Sequence, residues 1–181
     1  MTPSSAGTRV RWSPIVLLET TNLLSGMSNG VVTIAIPWLV LQRTGSVTAA
    51  GLVAALSALP GIVASPLAGW AVDHFGRRIV SIVSDVLSAI SVAAIPIVAM
   101  LTDLTLAWIL CLAMLGAVFD PAGYTARRAL IPDVSAASGM EVTRLNGLHE
   151  GIFGMGWIVG PLAGALLIAA FGDTAAFWVP F

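Results

Sequence analysis

Four carboxylates stand in long apolar surroundings: Glu19 beside Thr20, Thr21 and Asn22, Asp85, Asp120 just before Pro121, and Glu150 beside His149. A carboxyl group removed from water favours its neutral form. Glu19, Asp85 and Glu150, with Asn22 as a polar neighbour, are therefore candidates for a site that exchanges a proton or meets a substrate. The competing reading places these groups near the ends of their segments, where they reach water or pair with Arg127, Arg128 or Arg144. The second reading is favoured for Asp85 and Asp120, although the spacing of Asp120 from Arg127 requires a bend or a contribution from another helix. Asn29 and Trp38 are further candidates for lining a cavity, or for packing and interfacial anchoring.

Other chemistries fail on a missing residue. His149-Glu150 opens a zinc-protease-like pattern, but Phe153 stands where the second histidine is required. Cys111 is the single cysteine, which leaves no internal disulfide and no multi-cysteine metal site. Gly154-x-Gly156 follows no strand, so it forms no dinucleotide-binding turn. The expectation is a protein with no metal, no cofactor and no catalytic reaction.

The elements that position these residues follow from composition. Of 181 residues, 57% are hydrophobic and 9% charged, with a net charge of −1. Soluble domains carry about 25% charged residues, so this chain lacks the charge to cover a water-facing surface. The charge balance also excludes a nucleic-acid footprint. Apolar stretches run at Pro14–Leu41, Val47–Val72, Ile79–Leu101, Leu104–Ala126 and Leu145–Phe171, and a sixth begins at Thr174. Each of the five is long enough for a membrane helix of about 20 residues, and none shows the short alternating segments of a membrane barrel. The fold class is an all-α membrane protein: a short arm over 1–13, then a transmembrane bundle over 14–181. Pro37, Pro60, Pro66, Pro96 and Pro161 fall inside the spans, where they remove backbone donors and bend the helices.

Every basic residue is an arginine. With the N-terminus in the cytoplasm, the inner side collects Arg9, Arg11, Arg77, Arg78, Arg127, Arg128 and Arg144, and the outer side keeps Arg43. Such asymmetry sets orientation. It predicts an integral, multi-pass protein of the plasma (inner) membrane with the 1–13 arm inside. The apolar stretch after Arg11 is too long for a cleaved signal peptide and is followed by no small-residue cleavage site.

The turn after the second span is dense in information. Gly69-Trp70-Ala71-Val72-Asp73-His74-Phe75-Gly76-Arg77-Arg78 ends one helix, turns at Gly76 and opens the next helix on two arginines. Gly69 permits close approach of another helix. The segment resembles the signature loop of the major facilitator superfamily of transporters, with His74 at a position usually basic. In that family the loop latches the cytoplasmic ends of two halves in the outward-facing state. The resemblance implies that Asp73 docks on a helix N-terminus of the other half and that Arg77 joins the supporting ion network. A plain topology-setting turn is the alternative.

In the fifth span, Gly156, Gly160 and Gly164 recur every fourth residue and share one face, a groove for a partner helix. Gly147, Gly156, Gly160-Pro161 and Gly164 together are similar to the antiporter motif of the superfamily's drug–proton exchangers, with Ala165 where a further glycine is common. Ala35 to Leu41 with Thr44-Gly45-Ser46, and Phe119-Asp120-Pro121-Ala122 through Arg144-Leu145-Asn146-Gly147, resemble the macrolide-efflux and siderophore-exporter-like branch. Many members of the superfamily carry a fourth-helix arginine; none lies within Leu104–Ala126. The resemblance implies an N-terminal half-transporter. The expected function is proton-coupled export of a small amphipathic molecule, such as a drug, a macrolide-like compound or a siderophore. Its expected partners are the lipid bilayer, substrate, protons and a missing C-terminal half. A non-transporting half-protein or scaffold, and an uptake carrier, are the alternatives. The family's first helix lines the central cavity, which favours Glu19.

Overall fold

The computed structural model describes residues 10–172 and 174–178. They form five long helices, α1 (Trp12–Thr44), α2 (Val47–Phe75), α3 (Arg77–Leu101), α4 (Leu106–Ser138) and α5 (Val142–Phe171), followed by a 3-10 turn at Ala175–Trp178. All five are long and apolar enough to cross a membrane, and no strand occurs among the described residues. The chain is a multi-pass helical membrane protein. Its outer wall is apolar and open, with Ile62, Val63, Ile158 and Leu162 all exposed, as expected where lipid rather than water is the solvent.

One helix departs from the sequence expectation by several turns. The fourth helix does not stop at Ala126 but continues to Ser138. The charges at Arg127, Arg128 and Asp133 dilute the apolar pattern without breaking the helix. Leu130, Ile131 and Val134 fall on one face there and pack with Ile15, Leu18, Met140 and Leu145. The helix ends at Gly139, whose φ of 76° is a left-handed conformation that suits glycine. The expected sixth span from Thr174 coincides with the 3-10 turn, where Phe177 is fully buried in the core. Residues 1–9, most of the expected N-terminal arm, lie outside the described residues, as do 179–181.

The helix ends sort into two groups. The starts of α1, α3 and α5 and the ends of α2 and α4 share what we call the arginine-rich end. There the Arg11 amide donates to Ser138 O at 2.8 Å. At the opposite end lie the Gly45 turn and the larger apolar cluster built on Ile36, Leu39, Val53, Ile95, Ile109 and Phe177. Ser46 and Thr105 start α2 and α4 as N-caps, accepting from the amides of Ala49 and Trp108, which satisfies donors that helix starts leave free.

Helix α1 packs chiefly on α5, and α4 on α3 and α2. Exchanging α1–α2 for α4–α5 turns the α1–α5 pairing into the α4–α2 pairing, the relation expected of nested inverted repeats. The α1–α5 contact is backbone on backbone. A Cβ placed on Gly156 would lie 2.8 Å from Gly26 C and from Met27 N, and one on Gly30 would lie 2.7 Å from Pro161 Cδ. A Cβ on Gly160 would collide with Met27 O. The shared glycine face expected on α5 therefore meets a second pair, Gly26 and Gly30, on α1. By contrast, a Cβ at Gly147 or Gly154 meets nothing within 4 Å.

This contrast sets a test on one helix. Gly160→Ala should destabilise the folded protein by roughly 1–3 kcal/mol, the usual cost of overpacking, whereas Gly154→Ala should be neutral or slightly stabilising because alanine favours helix. Thermal unfolding in detergent micelles checks both.

Candidate proton and substrate site

The bundle places each candidate carboxylate against a different partner. Two turns into α1 from the arginine-rich end, Glu19 is buried. His149, two turns into α5, is fully buried, and its Nδ1 lies 3.1 Å from Glu19 Oε1. Asn22 completes the group: its Nδ2 donates to Glu19 Oε2 at 3.2 Å and to the His149 carbonyl at 2.8 Å. The sequence singles out Glu19 and Asn22 as candidates, and the structure adds His149. The signal for it was a histidine inside an apolar span, at the same depth as Glu19 from the same end.

Asp85, on α3, pairs with Arg127 of α4. Arg127 Nη1 donates to Asp85 Oδ1 at 2.6 Å and Nη2 to Ser25 Oγ of α1 at 2.6 Å. Arg127 is 1% exposed, while the Asp85 side chain is 41% exposed. Because α4 runs past Ala126, the fourth helix does carry an arginine, at the first position after the stretch in which none was expected. Gly123, one turn before it, makes room for the pair: a Cβ there would lie 3.1 Å from Asp85 Oδ1 and 3.3 Å from Arg127 Nη1.

Glu150 points away from His149, its neighbour in sequence. Its Oε1 lies 3.2 Å from Arg128 Nη2, and Tyr124 donates to it at 3.4 Å. Arg128 also sits over the Tyr124 ring, 5.5 Å from its centre. Both members of this pair are close to half exposed. Asp120 accepts a hydrogen bond from Ser88 of α3 at 2.7 Å. It therefore finds its partner on another helix and not at Arg127.

Two cavities open between α1, α3 and α4, with volumes of about 270 and 290 Å³. Asn29, Ser88 and Asp120 line both. The first reaches α2 at Ser57 and runs along apolar residues such as Ile36 and Ile95; the second holds Thr21, Ser25, Ser28 and Asp85. Together they offer hydroxyls, the serine-bound carboxylate of Asp120 and the arginine-bound carboxylate of Asp85 beside an apolar wall. That combination suits an amphipathic solute.

The turn between α2 and α3 takes the expected shape. Gly76 has φ 85°, a backbone region that favours glycine, and its carbonyl accepts the Val80 amide that starts α3. Arg77 reaches α4, donating to Ala129 O at 2.8 Å and pairing with Asp133 at 2.9 Å. Asp73 is exposed and forms no ion pair among the described residues. Gly69 has nothing within 4 Å of where a Cβ would stand, so the helix expected to approach it is not one of these five. His74 stacks on Trp70 with ring centres 5.3 Å apart, and Phe75 meets both rings edge-on. Arg78 is exposed.

The described residues define a multi-pass helical membrane bundle with polar groups between its helices. Residues 19–181 match the sequence profile of the Major Facilitator Superfamily, and the chain belongs to that family. It is 43% identical over 95% of its length to the multidrug efflux pump Tap of Mycolicibacterium fortuitum. It is 42% identical over 92% of its length to the Tap pumps of Mycobacterium bovis strain BCG and Mycobacterium tuberculosis strain H37Rv. The chain spans about two fifths of the length of these relatives, 40–43%. No solved structure matches it.

The two salt bridges make opposite predictions. Asp85→Asn leaves the buried Arg127 charge without its counterion and should cost several kcal/mol, toward the lower end of the roughly 3–5 kcal/mol range for broken buried pairs because Asp85 is partly exposed. Arg128→Gln breaks an exposed pair and should cost less than about 1 kcal/mol. Unfolding of the two variants in the same detergent compares them directly.

Proposed function

We propose that this chain forms the N-terminal helical half of a proton-coupled exporter. It works in the plasma (inner) membrane with its N-terminus and arginine-rich end facing the cytoplasm. The cargo is a small amphipathic molecule, in the class of drugs, macrolide-like compounds or siderophores, moved by alternating access. The observation that carries this reading is the 43% identity over 95% of the chain to a multidrug efflux pump.

The geometry supports each part. Asp73, exposed and without an ion pair among the described residues, is the residue offered to a C-terminal half, while Arg77 ties the base of the same turn to α4. The open face at Gly69 admits a helix from that half. The glycine seam fixes α1 on α5, so the two move as one body during rocking. The cavities at Asn29, Ser88 and Asp120 give the cargo a polar hold beside apolar walls. Glu19, Asp85 and Glu150 are the carboxylates available for proton exchange.

Expression of the complete gene in a drug-susceptible host tests the proposal. Cells should accumulate several-fold less of a lipophilic dye or macrolide than controls, and collapsing the proton gradient should abolish the difference. Asp73→Asn should remove most of that effect at equal membrane abundance. Accumulation above the control, or a difference indifferent to the gradient, would count against proton-driven export.

A further inference from the structure

A buried carboxylate can exchange a proton only if its counter-charge tolerates the change. Asp85 faces Arg127 and Glu150 faces Arg128. A guanidinium keeps its charge at every physiological pH, so protonating either carboxylate strands a cation, and in the case of Arg127 a fully buried one. Glu19 faces an imidazole instead, and histidine is the side chain that gains and loses a proton in the physiological range. Both Glu19 and His149 are buried, with 3.1 Å between Oε1 and Nδ1. With one proton between them the pair carries no net charge, whichever atom holds it. Removing that proton leaves −1 and adding a second leaves +1.

The surroundings leave this pair to itself. On α4 and α3, Arg127 and Asp85 hold each other. On α5, Glu150 turns to Arg128 and Tyr124, and Glu141 and Arg144 are exposed near the helix start. The titratable residues of α2, Asp73 and His74, are exposed at its end. Asn22 spends its amide hydrogens on Glu19 and the His149 carbonyl, while Asn22 Oδ1 and His149 Nε2 are buried without a hydrogen-bond partner among the described residues. The ring therefore keeps one nitrogen uncommitted.

From this juxtaposition we infer that Glu19 and His149 form a single buried proton-binding site across the α1–α5 contact, with Asn22 as its positioning residue. A proton adds to the carboxylate oxygen or ring nitrogen and leaves from the same atoms; no other bond changes. The use of the site in transport rests on the exporter reading: there the exchanged proton belongs to this pair and not to Asp85 or Glu150.

The test uses the complete gene product in lipid nanodiscs with 15N-labelled histidine, the His149 signal being assigned by its loss in His149→Gln. Across about pH 5 to 8 the His149 ring signals should change in the wild type. The change should be lost in Glu19→Gln, partly restored in Glu19→Asp and retained in Asp85→Asn and Glu150→Gln. A ring that keeps one protonation state throughout, in the wild type and Glu19→Gln alike, would overturn the inference and leave a static structural clamp.

Substrate-driven proton movement in proteoliposomes supplies the second arm. It should be lost in Glu19→Gln and His149→Gln and kept in Gly154→Ala, a change on the same helix that meets no neighbour. A responsive ring in a wild type that moves no protons with substrate would count against the exporter reading alone. Intact coupling in Glu19→Gln would count against the pair.

Discussion

The approach of α1 to α5 at Gly26, Gly30, Gly156 and Gly160 is the contact on which the rest of the structure depends. Lipid offers no hydrophobic drive for helices to associate, so close van der Waals packing between small residues must supply it. Here four glycines let two backbones touch. Continued toward the arginine-rich end, the same alignment brings His149 against Glu19 and lets Asn22 bridge from one helix to the other. A side chain larger than hydrogen at the crossing would push the helices apart and separate the polar trio. The packing and the polar site are therefore one feature seen at two depths.

Burial of charge organises the other side of the bundle. Arg127 is held inside by Asp85 and Ser25, so α4, α3 and α1 are linked through one guanidinium. The missing Cβ at Gly123 leaves room for that group and for the Asp85 carboxylate. Nearer the end, Arg77 fastens α3 to the tail of α4 through Asp133 and a backbone carbonyl. The three candidate carboxylates thus lie at comparable depth yet have different partners: a buried arginine, an exposed arginine and a buried histidine. That difference, and not depth alone, sets the buried Glu19–His149 pair apart from the two carboxylates held by arginine.

Much of this was legible in the sequence. Apolar length predicts five spans, the four-residue glycine period predicts the packing face of α5, and the Gly69–Arg78 pattern locates the turn. What escaped has a physical reason in each case. The tail of α4 reads as a loop because hydropathy counts charges without knowing that Ile131 and Val134 have apolar partners on α1 and α5. Arg127 consequently reads as a topology signal when it is a buried structural cation. His149 pairs with Glu19 across 130 positions of sequence, a separation that no local pattern reports. Gly26 and Gly30 form a second small-residue pair whose importance emerges only once α5 is placed against α1.

The most direct measurement is a double-mutant cycle on Glu19→Gln and His149→Gln, following reversible unfolding in micelles. Direct partners in one hydrogen-bonded group couple by about 0.5–3 kcal/mol, and the seam described here predicts a coupling of at least about 1 kcal/mol. Strictly additive losses would mean that the two side chains do not meet, and that α1 and α5 are not joined as described.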